Sequence, residues 1–144
     1  MEIPQLYIRR HLRYCAAVTS KSRPTSALQV KRAYDPPSDR DGVRILVDRL
    51  WPRGLTTAAA VDLWLKDLAP SVALRRWFNH DPSRWTEFTR RYAEELDAIR
   101  QKSPAVAALL GAIRRGRVTL LFGARDEQHN NATALRSYLN RVGG

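Results

Sequence analysis

The chain has 144 residues, of which 44% are hydrophobic and 27% charged, with a formal net charge of +11. That length and balance are ordinary for one globular domain with a real core, which requires no disulfide or metal staple. Its apolar runs, such as Ile45–Val47, fall far short of the roughly 20 residues that a membrane-spanning helix needs.

Residues 1–27 carry five bases, one acid and the only cysteine, Cys15. Bases interrupt their apolar stretch, where a secretory signal needs an unbroken apolar core. Thr19–Ser26 is polar and contains proline, so it reads as a linker, and the segment before it as a disordered extension or an over-long translation start. One thiol suits a reducing compartment, and the expectation is a cytoplasmic protein that engages no membrane.

Residues 28–144 are then expected to form a single α/β domain. Leu28–Tyr34 alternates as a first strand, stopped by Asp35-Pro36-Pro37-Ser38, because proline supplies no ladder donor. Asp41-Gly42 signals a turn. Val43–Leu50 reads as a strand covered on both faces. Val61–Leu65 alternates as a third strand, although Ala58-Ala59-Ala60 before it also suits a helix. Ser71 can cap a short helix ending at Phe78. Asp81 and Pro82 open the clearest helix, whose stripe is Trp85, Phe88, Tyr92, Leu96 and Ile99. Ser103-Pro104 opens another, closed by Arg114-Arg115-Gly116, with Gly116 free to take a left-handed stop. Val118–Phe122 is a short buried strand. A final helix runs from about Glu127 to Arg141, burying Ala132, Leu135, Leu139 and Val142. Strands separated by helices imply a mostly parallel sheet of about four strands covered by helices.

In open α/β sheets, ligands bind beyond the carboxyl ends of the strands. Two polar loops fall there: Asp48-Arg49-Leu50-Trp51-Pro52-Arg53-Gly54, and Gly123 to Asn130. The helix after the second offers unpaired N–H groups suited to an anion. The candidate ligand-binding residues are Arg49, Trp51, Arg53, Gly54, Lys66, Arg125, Asp126 and Asn130. The candidate general bases are Asp48 and His129, should the site be catalytic. Each has a structural counterpart. Asp48 with Arg49 or Arg53 reads more readily as an ion pair and Trp51 as core, while His129 reads equally as a capping residue. Lys66 with Asp67 can join the cluster or form a solvated pair, and His80-Asp81 reads rather as helix capping. Asn130 and Asn131 can bond a ligand or the loop backbone. The chain has no GxxxxGK[ST], no GxGxxG after a strand and no GxSxG, and its three histidines and one cysteine are not spaced for metal. It calls for no cofactor.

Val47-Asp48-Arg49-Leu50-Trp51-Pro52-Arg53-Gly54 and Trp64-Leu65-Lys66-Asp67-Leu68-Ala69-Pro70-Ser71 carry a resemblance. With Trp77-Phe78, His80-Asp81-Pro82, Arg84-Trp85, Arg91-Tyr92, Glu95-Leu96, Val118–Leu121 and His129-Asn130, they make residues 28–140 resemble the bacterial family catalogued as domain of unknown function 488. The resemblance implies a compact α/β domain in the bacterial cytoplasm, with no agreed activity. Wider relatives often carry cysteines before the last strand-to-helix loop and just before its histidine. At about those places this chain has Gly123 and Gln128, so the resemblance implies no thiol chemistry here.

The leading expectation is a domain that binds a phosphate-bearing ligand, a nucleotide or nucleic acid, at the strand-end loops, as its positive charge favours. A small hydrolase-like or transferase-like enzyme with an Asp or His base, and a protein-interaction module, stand as alternatives.

Overall fold

The run Val118-Thr119-Leu120-Leu121-Phe122 is buried at every position, as a strand covered on both faces has to be. In the computed structural model, which describes residues 28–56 and 60–142, it lies inside the sheet. The expected extension over 1–27, with its linker and Cys15, and Ala58 and Ala59 fall outside the described residues.

The described residues form β1 (Leu28–Arg32), β2 (Val43–Leu46), β3 (Leu63–Trp64), α1 (Val72–Phe78), α2 (Trp85–Ile99), α3 (Pro104–Arg115), β4 (Val118–Phe122) and α4 (Asn131–Val142). The sheet order is β1-β4-β2-β3 and every pairing is parallel. Leu28 and Val43 both stand opposite Val118, and Leu46 stands opposite Leu121 and Trp64. The carboxyl ends of all four strands therefore meet at one edge.

The described residues form a single α/β domain, and the two faces of its sheet are covered differently. Val43, Ile45, Val118, Leu120 and Phe122 join one large cluster with residues of all four helices, among them Phe78, Tyr92, Leu109 and Leu135. Leu46, Leu121 and Trp64 face the other side, where Ala33, Ala60, Val61, Trp51 and Leu55 come from connecting segments. That second face also holds Arg44, fully buried. Its Nε donates to the Ala60 carbonyl at 2.6 Å, its Nη2 to the Asp35 carbonyl at 3.1 Å, and its Nη1 to Asp41 at 2.5 Å. A buried guanidinium needs this many acceptors to offset the loss of water. Burial pushes the Asp41 carboxyl up, but hydrogen bonds from Arg44, Lys31 and the Ser38 N–H outweigh it and hold the group below its ordinary range.

Caps set several boundaries as expected. Ser71 accepts from the Leu74 N–H and Ser103 from those of Ala105 and Val106. Others differ for local reasons. Asp81 caps a 3-10 turn over Pro82–Arg84, and α2 starts only at Trp85. The second strand ends at Leu46, not Leu50, because beyond Val47 it is the Asp48 side chain that meets β4's continuation. The first ends at Arg32. Gly116 is extended, not left-handed. The last helix starts at Asn131 rather than Glu127, because Asp126 accepts the Gln128 and His129 N–H groups and folds that segment into a turn. Val142 is exposed, not buried. Among the described residues, no helix is long and apolar enough to cross a membrane.

Candidate functional site

A cleft of about 370 Å³ opens at the edge where the strands end, between the loops after β2 and β4 and the α1 and α2 helices. Its floor is Asp48. The carboxylate Oδ2 accepts the Gly123 N–H at 2.8 Å, and the Trp64 indole donates to the Asp48 carbonyl at 2.8 Å. Asn131, the first residue of α4, donates to the Val47 carbonyl at 2.8 Å and also lies against the carboxylate. Burial raises the Asp48 carboxyl above its ordinary value, more than Gly123, Asn131 and the charge of Arg75 pull it down.

Three guanidinium-bearing residues line the same cleft: Arg49, Arg53 and Arg75. None has a carboxylate within ion-pair distance among the described residues, in contrast to Arg44, Arg84, Arg90 and Arg91. Arg49 Nη2 reaches only the Pro70 carbonyl, at 3.4 Å, and its Nε is buried with no acceptor among the described residues. A buried donor left so costs about 1–3 kcal/mol. Among the described residues, one cleft thus gathers three guanidinium-bearing residues and a single carboxyl, that of Asp48.

An aromatic wall completes it. Phe78 stacks on Phe88 at 4.4 Å, Trp85 packs on both, and the His129 ring meets Trp85 edge-on at 5.1 Å. Asp126 fixes His129 twice, through Nδ1 at 2.9 Å and through the backbone N–H at 3.0 Å. The Nε2 nitrogen is then the one left for a ligand. At the rim stand Leu50, 65% exposed, and Tyr34, whose hydroxyl donates to the Arg53 carbonyl at 2.6 Å. The Arg32 guanidinium lies 4.9 Å from the Tyr34 ring centre and is itself tied to the Gly123 and Ala124 carbonyls. Tyr34 is therefore held in place while staying exposed.

The structure brings Asp48, Arg49, Trp51, Arg53, His129 and Asn130 to this one cleft. Trp51 is at once core and lining. It packs on Trp64 at 5.3 Å and donates its indole N–H to the Leu55 carbonyl. The Asn130 amide is already engaged: Oδ1 accepts the Thr133 N–H at 2.8 Å and Nδ2 donates to the Asp126 carbonyl. It caps α4. Asp126 lies off the cleft and acts through His129. Gly54, at φ 82, Arg125, and Lys66, whose ammonium sits 5.3 Å from the Trp64 ring centre, do not line it.

Arg75, His80, Tyr34 and the Phe78–Phe88 pair were not legible as site residues. Helical spacing puts Arg75 beside Phe78, but only tertiary packing says which loop that face meets. His80 reaches the cleft because Asn79 and His80 both take positive φ, 48° and 55°, at the end of α1. Among the described residues, no three His, Cys, Asp or Glu side chains gather where they could hold a metal ion.

The chain is 40% identical over 114 residues to uncharacterized protein Rv3073c of Mycobacterium tuberculosis, an alignment covering 78% of this chain and 93% of that one. It is 38% identical over 116 residues to uncharacterized protein YeaO of Escherichia coli, covering 80% of this chain and 98% of that one. No solved structure matches it. The family model described as the inactive DUF488-N3 subclade matches residues 27–142, which include the whole of the sheet and all four helices, and the chain belongs to that family.

Proposed function

We propose that the cleft binds a small phosphate-bearing ligand of nucleotide size and performs no chemistry on it. The observation that carries this reading is the convergence of Arg49, Arg53 and Arg75, none with a carboxylate partner among the described residues. An oxyanion supplies the acceptors that these guanidinium groups lack, and bidentate contact with phosphate is what their planar fork favours. The cleft's volume lies at the small end of ligand pockets, which favours a nucleotide over a nucleic-acid duplex. Trp51 and Tyr34 offer ring faces on which a base can stack. The family's description as inactive supports binding without turnover, and among the described residues no serine, threonine or cysteine lines the cleft. The single cysteine, Cys15, favours a reducing, cytoplasmic setting for this binding.

Calorimetric titration of the full chain with inorganic phosphate and with nucleoside monophosphates tests the reading. Arg49→Gln is expected to weaken binding by at least about tenfold. Failure of both ligands to bind at low salt would overturn it.

One observation favours a second reading, acid–base catalysis: Asp48 and His129 line the same cleft. On that reading Asp48→Asn and His129→Ala each lower turnover by about 10²–10⁴.

A further inference from the structure

The cleft pairs cationic groups that attract an oxyanion with a carboxylate that should repel it. Asp48 is met by the Gly123 N–H after β4, by Asn131 from α4 and, at longer range, by Arg75 from α1. The Tyr92 hydroxyl of α2 lies nearby but donates to the Leu68 carbonyl at 2.5 Å, so it offers Asp48 no proton. No cation among the described residues stands within ion-pair distance. A carboxylate has about four lone-pair sites, so acceptor capacity remains after Gly123 is served.

An anion drawn in by Arg49, Arg53 and Arg75 therefore meets an acceptor at the floor. Two acceptor oxygens in contact repel unless a proton lies between them. The ligand supplies it: its P–O–H donates to the Asp48 carboxylate. Inorganic phosphate carries such a proton at neutral pH. A phosphate monoester has one below its second pKa, near 6, and above it must take one from solvent. Sulfate has none to share.

We propose that Asp48 is the specificity-determining residue of the cleft, admitting phosphate or a phosphate monoester with one shared proton and rejecting oxyanions that carry none. The inference rests on the phosphate-binding reading above and adds to it the class of oxyanion accepted.

The test is calorimetric titration of the full chain with sodium phosphate and sodium sulfate, at neutral pH and matched ionic strength. Phosphate is expected to bind at least about tenfold more tightly, as a charged acceptor left unmatched implies. Asp48→Asn is expected to bring sulfate close to phosphate, because the amide can donate an N–H to a fully deprotonated ion. Arg49→Gln should weaken both anions and leave their ratio unchanged. Equal affinities in the unmodified chain, or a ratio that survives Asp48→Asn, overturn the specificity role while the anion site stands. If neither anion binds, the site reading falls and this inference with it. Should Asp48→Asn fail to fold, the unmodified chain still decides. At about pH 8, above the second pKa of methyl phosphate, binding should draw about one proton per site from buffers of differing ionisation enthalpy. No proton uptake overturns the proposal.

Discussion

The Asp48 carboxylate accepts the backbone N–H of Gly123 at 2.8 Å, joining two loops 75 residues apart in the chain. This bond sits where β2 and β4 leave the sheet side by side, so it closes the edge of the sheet and also forms the floor of the cleft. A Cβ added at Gly123 would stand 3.2 Å from Asp48 Oδ2 and 3.5 Å from Pro52. A side chain there would require the carboxylate to give way by a few tenths of an ångström.

Asp48 opposes folding at neutral pH. Its folded pKa is raised, so the folded state holds more protons than the unfolded one between the ordinary carboxylate value and the folded one. Any stabilising contribution is complete below the unfolded pKa, near 3.9, and is lost as pH rises through the folded value. Asp48→Asn keeps an acceptor for Gly123 and removes the buried ionisation. Its Tm is expected to exceed that of the unmodified chain at neutral pH, with the gap closing as pH falls toward about 4. Differential scanning calorimetry across that range checks both.

Asp41 has the opposite sign. Its carboxyl lies below the ordinary range, so its contribution is full above the unfolded pKa and disappears as pH falls through the folded one. Asp41→Asn leaves the fully buried Arg44 without its counter-charge and is expected to cost about 3 kcal/mol at neutral pH. Urea denaturation measures this, and the difference from the unmodified chain should shrink in acid.

Gly42 and Gly54 both have positive φ, 68° and 82°, yet alanine should affect them unequally. At Gly42 an added Cβ falls 2.1 Å from the Arg117 carbonyl oxygen, a backbone atom that cannot give way. At Gly54 nothing lies within 4 Å. Gly54→Ala should cost about 1 kcal/mol for the left-handed conformation alone. Gly42→Ala should cost about 3 kcal/mol or more, with strain and overlap combined. Chemical denaturation of the two variants separates these costs.

Asn130→Ala tests whether that side chain serves the helix rather than a ligand. Loss of the bond to the Thr133 N–H should lower stability by about 1 kcal/mol. Phosphate affinity is expected to change far less than with Arg49→Gln, since the Asn130 amide is already bonded at both ends.

The sequence by itself determined the parallel α/β class, the buried β4 strand, the capped helices and the sheet edge at which polar loops gather. Each follows from periodicity, caps or proline and glycine placement, which act over a few residues. It also put Asp48, Arg49, Arg53 and His129 in loops at that edge, because a loop following a strand of a parallel sheet has nowhere else to go. Only the tertiary structure decided which of those loops meet. Arg75 and Tyr34 enter the cleft while Lys66 and Arg125 stay outside it, because side-chain direction depends on how α1 and the β1 connection pack. The end of the second strand and the start of the last helix were likewise decided by the Asp48 and Asp126 side chains. The buried Arg44 belongs to the same class. Its acceptors are the Asp41 carboxylate and the carbonyls of Asp35 and Ala60, converging from segments on both sides of β2, and no local pattern records where such segments meet.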